Sequence, residues 1–206
     1  GGDAETRHHI EVIRRSSLRL THMIDALLKY SRLEQQDLPR QRFNVLEMIT
    51  TLITDRFSGL QGPKPKIQVA LPFADLYGEP VSIRQAIANL LDNAAKFSRR
   101  TPVPTITIGG TRTDHERILW VQDNGIGFDS TQTEKIFGLF ERLHSPQDYE
   151  GTGVGLAIVK LVMDKHDGRV WAESTPGAGS KFSLAFPERA EIVLDRASPS
   201  SSRPSA

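Results

Sequence analysis

The chain has 206 residues, with 26 Lys and Arg against 25 Asp and Glu, a formal net charge of +1, and 38% hydrophobic side chains. This balance lacks the basic excess of a nucleic-acid binder. The absence of cysteine removes disulfides and thiolate metal sites and fits a reducing, cytoplasmic setting, and no apolar run approaches the roughly 18 residues that span a bilayer. Such a chain can bury one good core and carry an appendage. It opens Gly1-Gly2-Asp3 with no Met and no signal-peptide pattern, and is expected to be a piece of a longer protein.

Residues from about Thr6 to Glu34 read as one long helix. Ile10, Ile13, Leu20, Ile24 and Leu27 fall on a seven-residue repeat, with Ser17 as a polar gap and Met23, Leu28 and Leu33 widening the stripe. That face needs a partner helix, a second copy of the chain, or a place in the same domain. Gln35 to Arg40 interrupts the pattern as a linker does.

From Phe43 the texture alternates between helix and strand. Val45 to Phe57 predicts a helix, Gly59 to Lys66 a Gly/Pro loop, and Ile67 to Leu71 a strand. Glu79 to Phe97 predicts a second helix, with Ile83, Ile87, Leu90, Leu91 and Ala94 on its apolar side. Strands Thr105 to Ile108 and Ile118 to Gln122 make a hairpin around Asp114-His115-Glu116. Residues 125–151 read as a long polar loop with an apolar island at Ile136, Phe137, Leu139 and Phe140, and loops of that length are usually functional. A helix from Gly155 to His166 ends at Asp167-Gly168, with the glycine expected at the C-cap. Strands Arg169 to Glu173 and Lys181 to Phe186 close the domain across Pro176-Gly177, and the Ser/Pro-rich end from Ala197 to Ala206 reads as a disordered tail or linker.

Four stretches carry chemistry. In Glu150-Gly151-Thr152-Gly153-Val154-Gly155-Leu156, three glycines open into a helix, where unpaired N–H groups and the helix dipole suit phosphate. The spacing is neither a Walker A loop nor a dinucleotide fingerprint, and by itself it is equally a structural turn. Asn89 and Asn93 lie one turn apart on a helix face with Lys96 close by. Amide oxygens suit Mg²⁺ and a lysine suits phosphate, although a solvated face explains them as well. Asp123, before Asn124-Gly125-Ile126-Gly127, either marks a turn or accepts from an adenine amino group, with the two glycines letting the next segment swing as a lid. Phe137 and Phe140 either pack that lid or belong to the core, and Arg142 reaches towards phosphate.

In this order, the four stretches resemble the N, G1, F and G2 boxes of histidine protein kinases. These kinases belong to the wider GHKL ATPase class with type II topoisomerases, mismatch-repair proteins and ninety-kilodalton heat-shock chaperones. The resemblance runs from about Arg42 to Pro187 and includes the turn Pro176 to Phe182. It implies an α+β fold, a Bergerat-type two-layer α/β sandwich preceded by one long helix. The implied division is 1–40 for the second helix of a dimerisation hairpin plus linker, 41–188 for an ATP-binding catalytic domain, and 189–206 for a tail. The implied ATP site comprises Asn89, Asn93, Lys96, Phe97, Asp123, Gly125, Gly127, Phe137, Phe140, Arg142, Gly151, Thr152, Gly153, Val154, Gly155, Leu156 and Ser180, with Mg²⁺ on Asn89 and Asn93. An amide at 89, where the chaperone and topoisomerase relatives generally carry an acid acting on water, fits transfer better than hydrolysis. Tyr149 to Gly153 and Phe140 to His144 look most like phytochrome-type kinases.

The same resemblance implies a homodimer through hairpin helices and a response regulator receiver domain as partner. One departure stands out. No segment carries the acceptor histidine followed by an acid and Pro-Leu, and the six histidines, among them His8, His9, His22, His115 and His166, read as structural or solvated. The expected activity is that of the ATP-binding region of a sensor histidine kinase unable to phosphorylate itself. An anti-sigma-type serine kinase and a nucleotide-gated interaction module are the alternatives.

Overall fold

Alternating burial along the middle strands builds a five-stranded sheet with one face covered by helices. In the computed structural model, which describes residues 2–59, 64–143, 149 and 151–188, its strands are β2 (Lys66–Ala70), β4 (Thr105–Arg112), β5 (Glu116–Asp123), β6 (Arg169–Thr175) and β7 (Gly179–Pro187). Their order is β2-β4-β5-β7-β6, with β2 parallel to β4 and every other pair antiparallel. Ile106 and Ile108 of β4, Leu119 and Val121 of β5, and Phe182 and Leu184 of β7 point to the core. The expected tail and His144 lie outside the described residues.

Helices α3 (Pro80–Ser98) and α4 (Gly155–Lys165) cover that face, and α2 (Val45–Phe57) packs beside α3. The arrangement is the two-layer α/β sandwich that the sequence implies. Each start has a chemical reason. Asn44 caps α2 by accepting from the Glu47 N–H at 2.9 Å. The Glu79 carboxylate caps α3 by accepting from Val81 and Ser82, with Pro80 in the first turn. Glu79, expected as the first helical residue, is therefore the cap.

Two elements were not expected. Strands β1 (Gln41–Asn44) and β3 (Asp75–Gly78) form a separate antiparallel ribbon, in register Gln41 to Gly78. At four residues each they are too short to show alternation. Buried Arg117 ties β3 to the sheet, binding the Asp75 main-chain carbonyl and side chain on one side and the Glu188 carboxylate at 2.6 and 2.8 Å on the other.

The end of α4 corrects the sequence reading. The left-handed residue is Asp167, at φ 56°, rather than Gly168. Gly168 is there for space, because a Cβ would lie 2.5 Å from the Met163 side chain and 2.6 Å from the Ala185 carbonyl.

The long helix α1 (Gly2–Gln35) docks by a face other than its heptad stripe. Ala26, Tyr30 and Leu33 pack on the core, and Lys165 donates to the Gln36 carbonyl at 2.8 Å. Ile13, Leu20 and Ile24 of the stripe are 65%, 61% and 51% exposed.

His166 ties the end of α4 to the start of α3. Its Nδ1–H donates to the Val162 carbonyl at 2.7 Å, and Nε2 accepts from the Glu79 N–H at 2.9 Å. The Nε2 bond needs a neutral ring, and burial, reinforced by nearby Arg40 and opposed by the Val162 hydrogen bond, Glu79 and Asp167, holds its pKa below the ordinary 6.5. A lowered histidine pKa gives stability that is complete above about 6.5 and is lost as pH falls towards the folded value. Urea unfolding of wild type should therefore lose stability between pH 7 and pH 5 relative to His166→Gln, which cannot titrate. A pH-independent difference between the two would refute this assignment.

Candidate functional site

One cleft of about 410 Å³ opens between α3, the start of α4 and the long segment joining β5 to α4. Helical spacing brings Asn93, Lys96 and Phe97 of α3 to its edge, since positions three and four apart share a face. Gly151, Thr152, Gly153, Gly155 and Leu156 line it at the α4 end, Arg142 lies on the connecting segment, and Gly127 and Ser180 form its floor. The structure thus gathers most of the expected site residues around one space.

The floor depends on close main-chain approach. Gly127 has φ 61° and Gly179 has φ 93°, conformations that suit glycine. A Cβ on Gly127 would strike the Thr175 carbonyl, and one on Gly179 the Asp123 carbonyl. At Gly125 a Cβ would come 2.6 Å from the Phe97 carbonyl. Glycine at 125 and 127 therefore serves tight packing, where the sequence suggested a swinging lid.

Asp123 is 4% exposed and lies behind this floor rather than in the cleft wall. Its Oδ1 accepts from the Gly125 N–H at 2.8 Å, and the carboxylate also takes the Ser180 N–H. Burial pushes its pKa up to about 6, against the pull of those two N–H groups.

Positive charge collects at the opposite wall. Lys96 Nζ sits 4.2 Å over the Phe97 ring, and burial together with Arg142 and Arg99 lowers its pKa to about 8, which Asp92 partly offsets. Arg142 donates to the Gly151 carbonyl at 2.9 Å and to the Tyr149 carbonyl at 2.6 Å, so it also shapes the glycine segment. The Tyr149 ring is buried against Phe97 at 5.1 Å, with Arg99 and Arg100 each 5.0 Å from its centre.

Besides Asp123 and Gly125, four more expected residues serve the cleft from outside it. The Asn89 amide donates to the Gly155 carbonyl at 3.0 Å and its oxygen accepts from Gln85 at 3.1 Å, tying α3 to α4. Phe137 is a core residue, edge-on to Phe182 at 6.4 Å. Phe140 is 45% exposed at φ 66°, and contributes its N–H to the Gly153 carbonyl at 2.9 Å rather than its ring. Val154 is fully buried, and its carbonyl accepts from the Ile158 N–H.

Other lining residues were not assigned from sequence: His22, Asp92, Phe128, Ile136, Glu141, Leu143, Tyr149 and Phe182. Ile136 and Phe182 stand inside the recognised motifs, and Tyr149 directly precedes the glycine stretch, so adjacency was the available signal. His22 comes from α1, and nothing local in sequence links it to the cleft.

Comparison with known proteins agrees with this geometry. A family model described as histidine kinase-, DNA gyrase B- and HSP90-like ATPase matches residues 78–190. The methanogenesis regulatory histidine kinase FilI of Methanothrix harundinacea is 32% identical over 86% of this chain and 20% of its own length. The phytochrome-like protein Cph1 of Synechocystis is 34% identical over 80% of this chain and 22% of its own. The chain thus spans about a fifth of the length of these relatives. Full-length ShkA in complex with AMPPNP matches with a TM-score of 0.68 at 22% identity, over 89% of this chain and 39% of that one. Histidine kinase AdeS of Acinetobacter baumannii matches at 0.67 and 20% identity, over 86% and 83%. At these identities the structural matches speak for the fold.

A carboxyl whose folded pKa is raised from 3.8 to about 6 weakens the folded protein above that pH. The penalty is complete above about 6, roughly 3 kcal/mol at 1.4 kcal/mol per unit, and disappears as pH falls below the unfolded value. Asp123→Asn should accordingly gain on wild type in thermal melts at pH 8, with the advantage shrinking steadily towards pH 4. A difference that does not change with pH would mean that the carboxyl is not strained by burial.

Proposed function

The chain belongs to the histidine kinase-, DNA gyrase B- and HSP90-like ATPase family, and from that premise we propose that it is the ATP-binding catalytic region of a two-component sensor histidine kinase. It transfers the γ-phosphoryl group of Mg·ATP to a histidine carried on a helix other than α1. The observation that carries this reading is the gathering of Lys96, Arg142 and Arg99 at the cleft, where burial, reinforced by the two arginines, lowers the Lys96 pKa to about 8. Cations that repel one another beside a helix N-terminus are arranged for a polyanion.

Within this reading the nucleotide lies with its base towards Asp123 and its phosphates towards Gly151–Gly155. Asp123 lies behind the floor with its oxygens already holding two main-chain N–H groups, so in this reading the floor yields to let its remaining lone pairs accept from the adenine amino group. Transfer breaks the bond from the γ-phosphorus to the bridging oxygen, whose electron pair leaves with ADP. The unprotonated nitrogen of the acceptor imidazole forms the new N–P bond with its lone pair, and the other ring nitrogen releases its proton to solvent. Positioning and charge neutralisation supply the catalysis.

Among the described residues no group of three or more His, Cys, Asp or Glu could hold a metal. A cation here would rely on the nucleotide's own oxygens, and the Asn93 amide at the cleft edge fits Mg²⁺, which keeps most of its waters. The Asn89 oxygen, which already accepts from Gln85, keeps one lone pair for the same ion. Bound Mg²⁺ supplies charge compensation on the phosphates.

The division into a helical segment 1–40, a catalytic unit 41–188 and a tail 189–206 belongs to the same proposal. The exposed stripe on α1 supports homodimerisation through paired helices, with a response regulator receiver domain as the onward phosphate acceptor. No helix among the described residues is long and apolar enough to cross a membrane.

Two measurements test the proposal. Phosphates facing Lys96 must raise its pKa again, so ATP binding at pH 8 should take up protons, seen calorimetrically as a binding enthalpy that depends on the buffer. Lys96→Met should abolish most of that uptake, and unchanged uptake would remove Lys96 from the phosphate site. Incubation with γ-labelled ATP should leave this chain unlabelled, including at His8 and His9. Adding a helix that bears the acceptor histidine should give acid-labile, alkali-stable label on that helix. Acid-stable label would instead indicate a serine kinase, and binding without any transfer an interaction module.

A further inference from the structure

The face of α1 that docks on the catalytic unit extends further than its apolar contacts. His22, Ala26, Tyr30 and Leu33 are spaced four, four and three residues apart and so lie on one side of the helix. The last three pack on the core. His22, one turn nearer the N-terminus, is exposed and lines the same cleft as Lys96, Arg142 and Gly151–Gly153.

Helix geometry explains how a residue so distant in sequence arrives there. The C-terminal ends of α1 and α4 meet, where Lys165 donates to the Gln36 carbonyl and Arg40 binds Asp167 at 2.8 Å and the Lys165 carbonyl at 2.6 Å. At about 1.5 Å per residue, α4 runs back about 15 Å to Gly155, whereas α1 runs back about 20 Å from Gln35 to His22. Because α1 packs along α4, His22 stands about one turn beyond the α4 N-terminus. Its place in the cleft lining independently puts it on that side. There the glycine segment, the helix dipole and Lys96 all favour negative charge.

We propose that His22 is a nucleotide-contacting residue, its ring N–H donating to the terminal phosphate of a bound nucleoside triphosphate and clamping α1 across the mouth of the cleft. This rests on the reading of the cleft as an ATP site. It adds that the helical segment completes the site, so that nucleotide occupancy and α1 docking reinforce each other. The role is one of binding and positioning, since an exposed ring held on the docked face of α1 needs no chemistry beyond a charge-assisted hydrogen bond.

The test uses the whole chain. Calorimetry on wild type and His22→Ala, with folding verified by circular dichroism, should show ATP affinity about 5- to 10-fold lower in the variant and ADP affinity changed less than twofold. His22 sits exposed on a helix, so the variant is expected to fold. Imidazole resonances of wild type, with those of His22 identified by their absence from His22→Gln, should shift on adding AMPPNP and stay in place on adding adenosine. Equal ATP affinities together with unmoved His22 resonances in a wild type that binds ATP would overturn this proposal and leave the nucleotide site standing. Equal weakening of ATP and ADP would overturn the terminal-phosphate contact. A wild type that binds no ATP would overturn the ATP reading and this one with it.

Discussion

The cleft is built outward from one contact, where the end of β5 lies main chain against main chain on the β6–β7 turn. Gly127 meets the Thr175 carbonyl and Gly179 the Asp123 carbonyl, at distances that leave no room for a Cβ on either glycine. The seam is stitched by Gly177 N–H to the Ile126 carbonyl at 2.7 Å and by Ser174, whose hydroxyl accepts from Phe128 and donates to Gly179, each at 2.9 Å. Everything on the floor takes its place from this seam. It sets the aim of Asp123, brings Ser180 to the cleft floor, and seats Phe128 and Phe182 with ring centres 6.1 Å apart. A side chain at 127 or 179 would push the facing backbones away from each other, a cost no local rearrangement removes.

Helix α3 then does two jobs with one period. Ile83, Ile87, Leu90, Leu91 and Ala94 are buried and hold the sheet, while Asn93, Lys96 and Phe97 emerge along the cleft. The wall it makes is electrostatically uneasy. Lys96 and Asp123 both sit where burial opposes their charged forms. Folded proteins are stable by only about 5–15 kcal/mol, so charges held this way are a real fraction of the total. An anionic ligand on one side and a hydrogen-bond donor on the other would relieve both.

Much of this was legible in sequence because long elements and glycine spacing carry strong signals. The apolar stripe of α3, the strands around the β4–β5 turn and the glycine run before α4 all appear where periodicity places them. What escaped depended on distance in space. The ribbon of β1 and β3 exists because Gln41–Asn44 finds Asp75–Gly78, and neither half shows a pattern alone. The left-handed residue after α4 is Asp167 because Gly168 is needed against Met163 and Ala185, a crowding visible only once β7 is in place. Asn89 and Asn93 look equivalent by spacing, yet one is engaged by Gly155 and Gln85 while the other faces the cleft. His22 read only as structural or solvated, since its place beside the cleft depends on which side of α1 turns inward.

That choice of side has a mechanical consequence. The docked face of α1 and its exposed heptad stripe lie roughly a third of a turn apart around the helix axis. Both are rows on one rigid rod, so the azimuth of one fixes that of the other. Any helix that seats against Ile13, Leu20 and Ile24 thereby sets the angle at which Ala26, Tyr30 and Leu33 meet the catalytic unit. A small twist of the rod, with no travel along its length, carries His22 sideways across the cleft mouth by a few ångströms, roughly the length of one hydrogen bond.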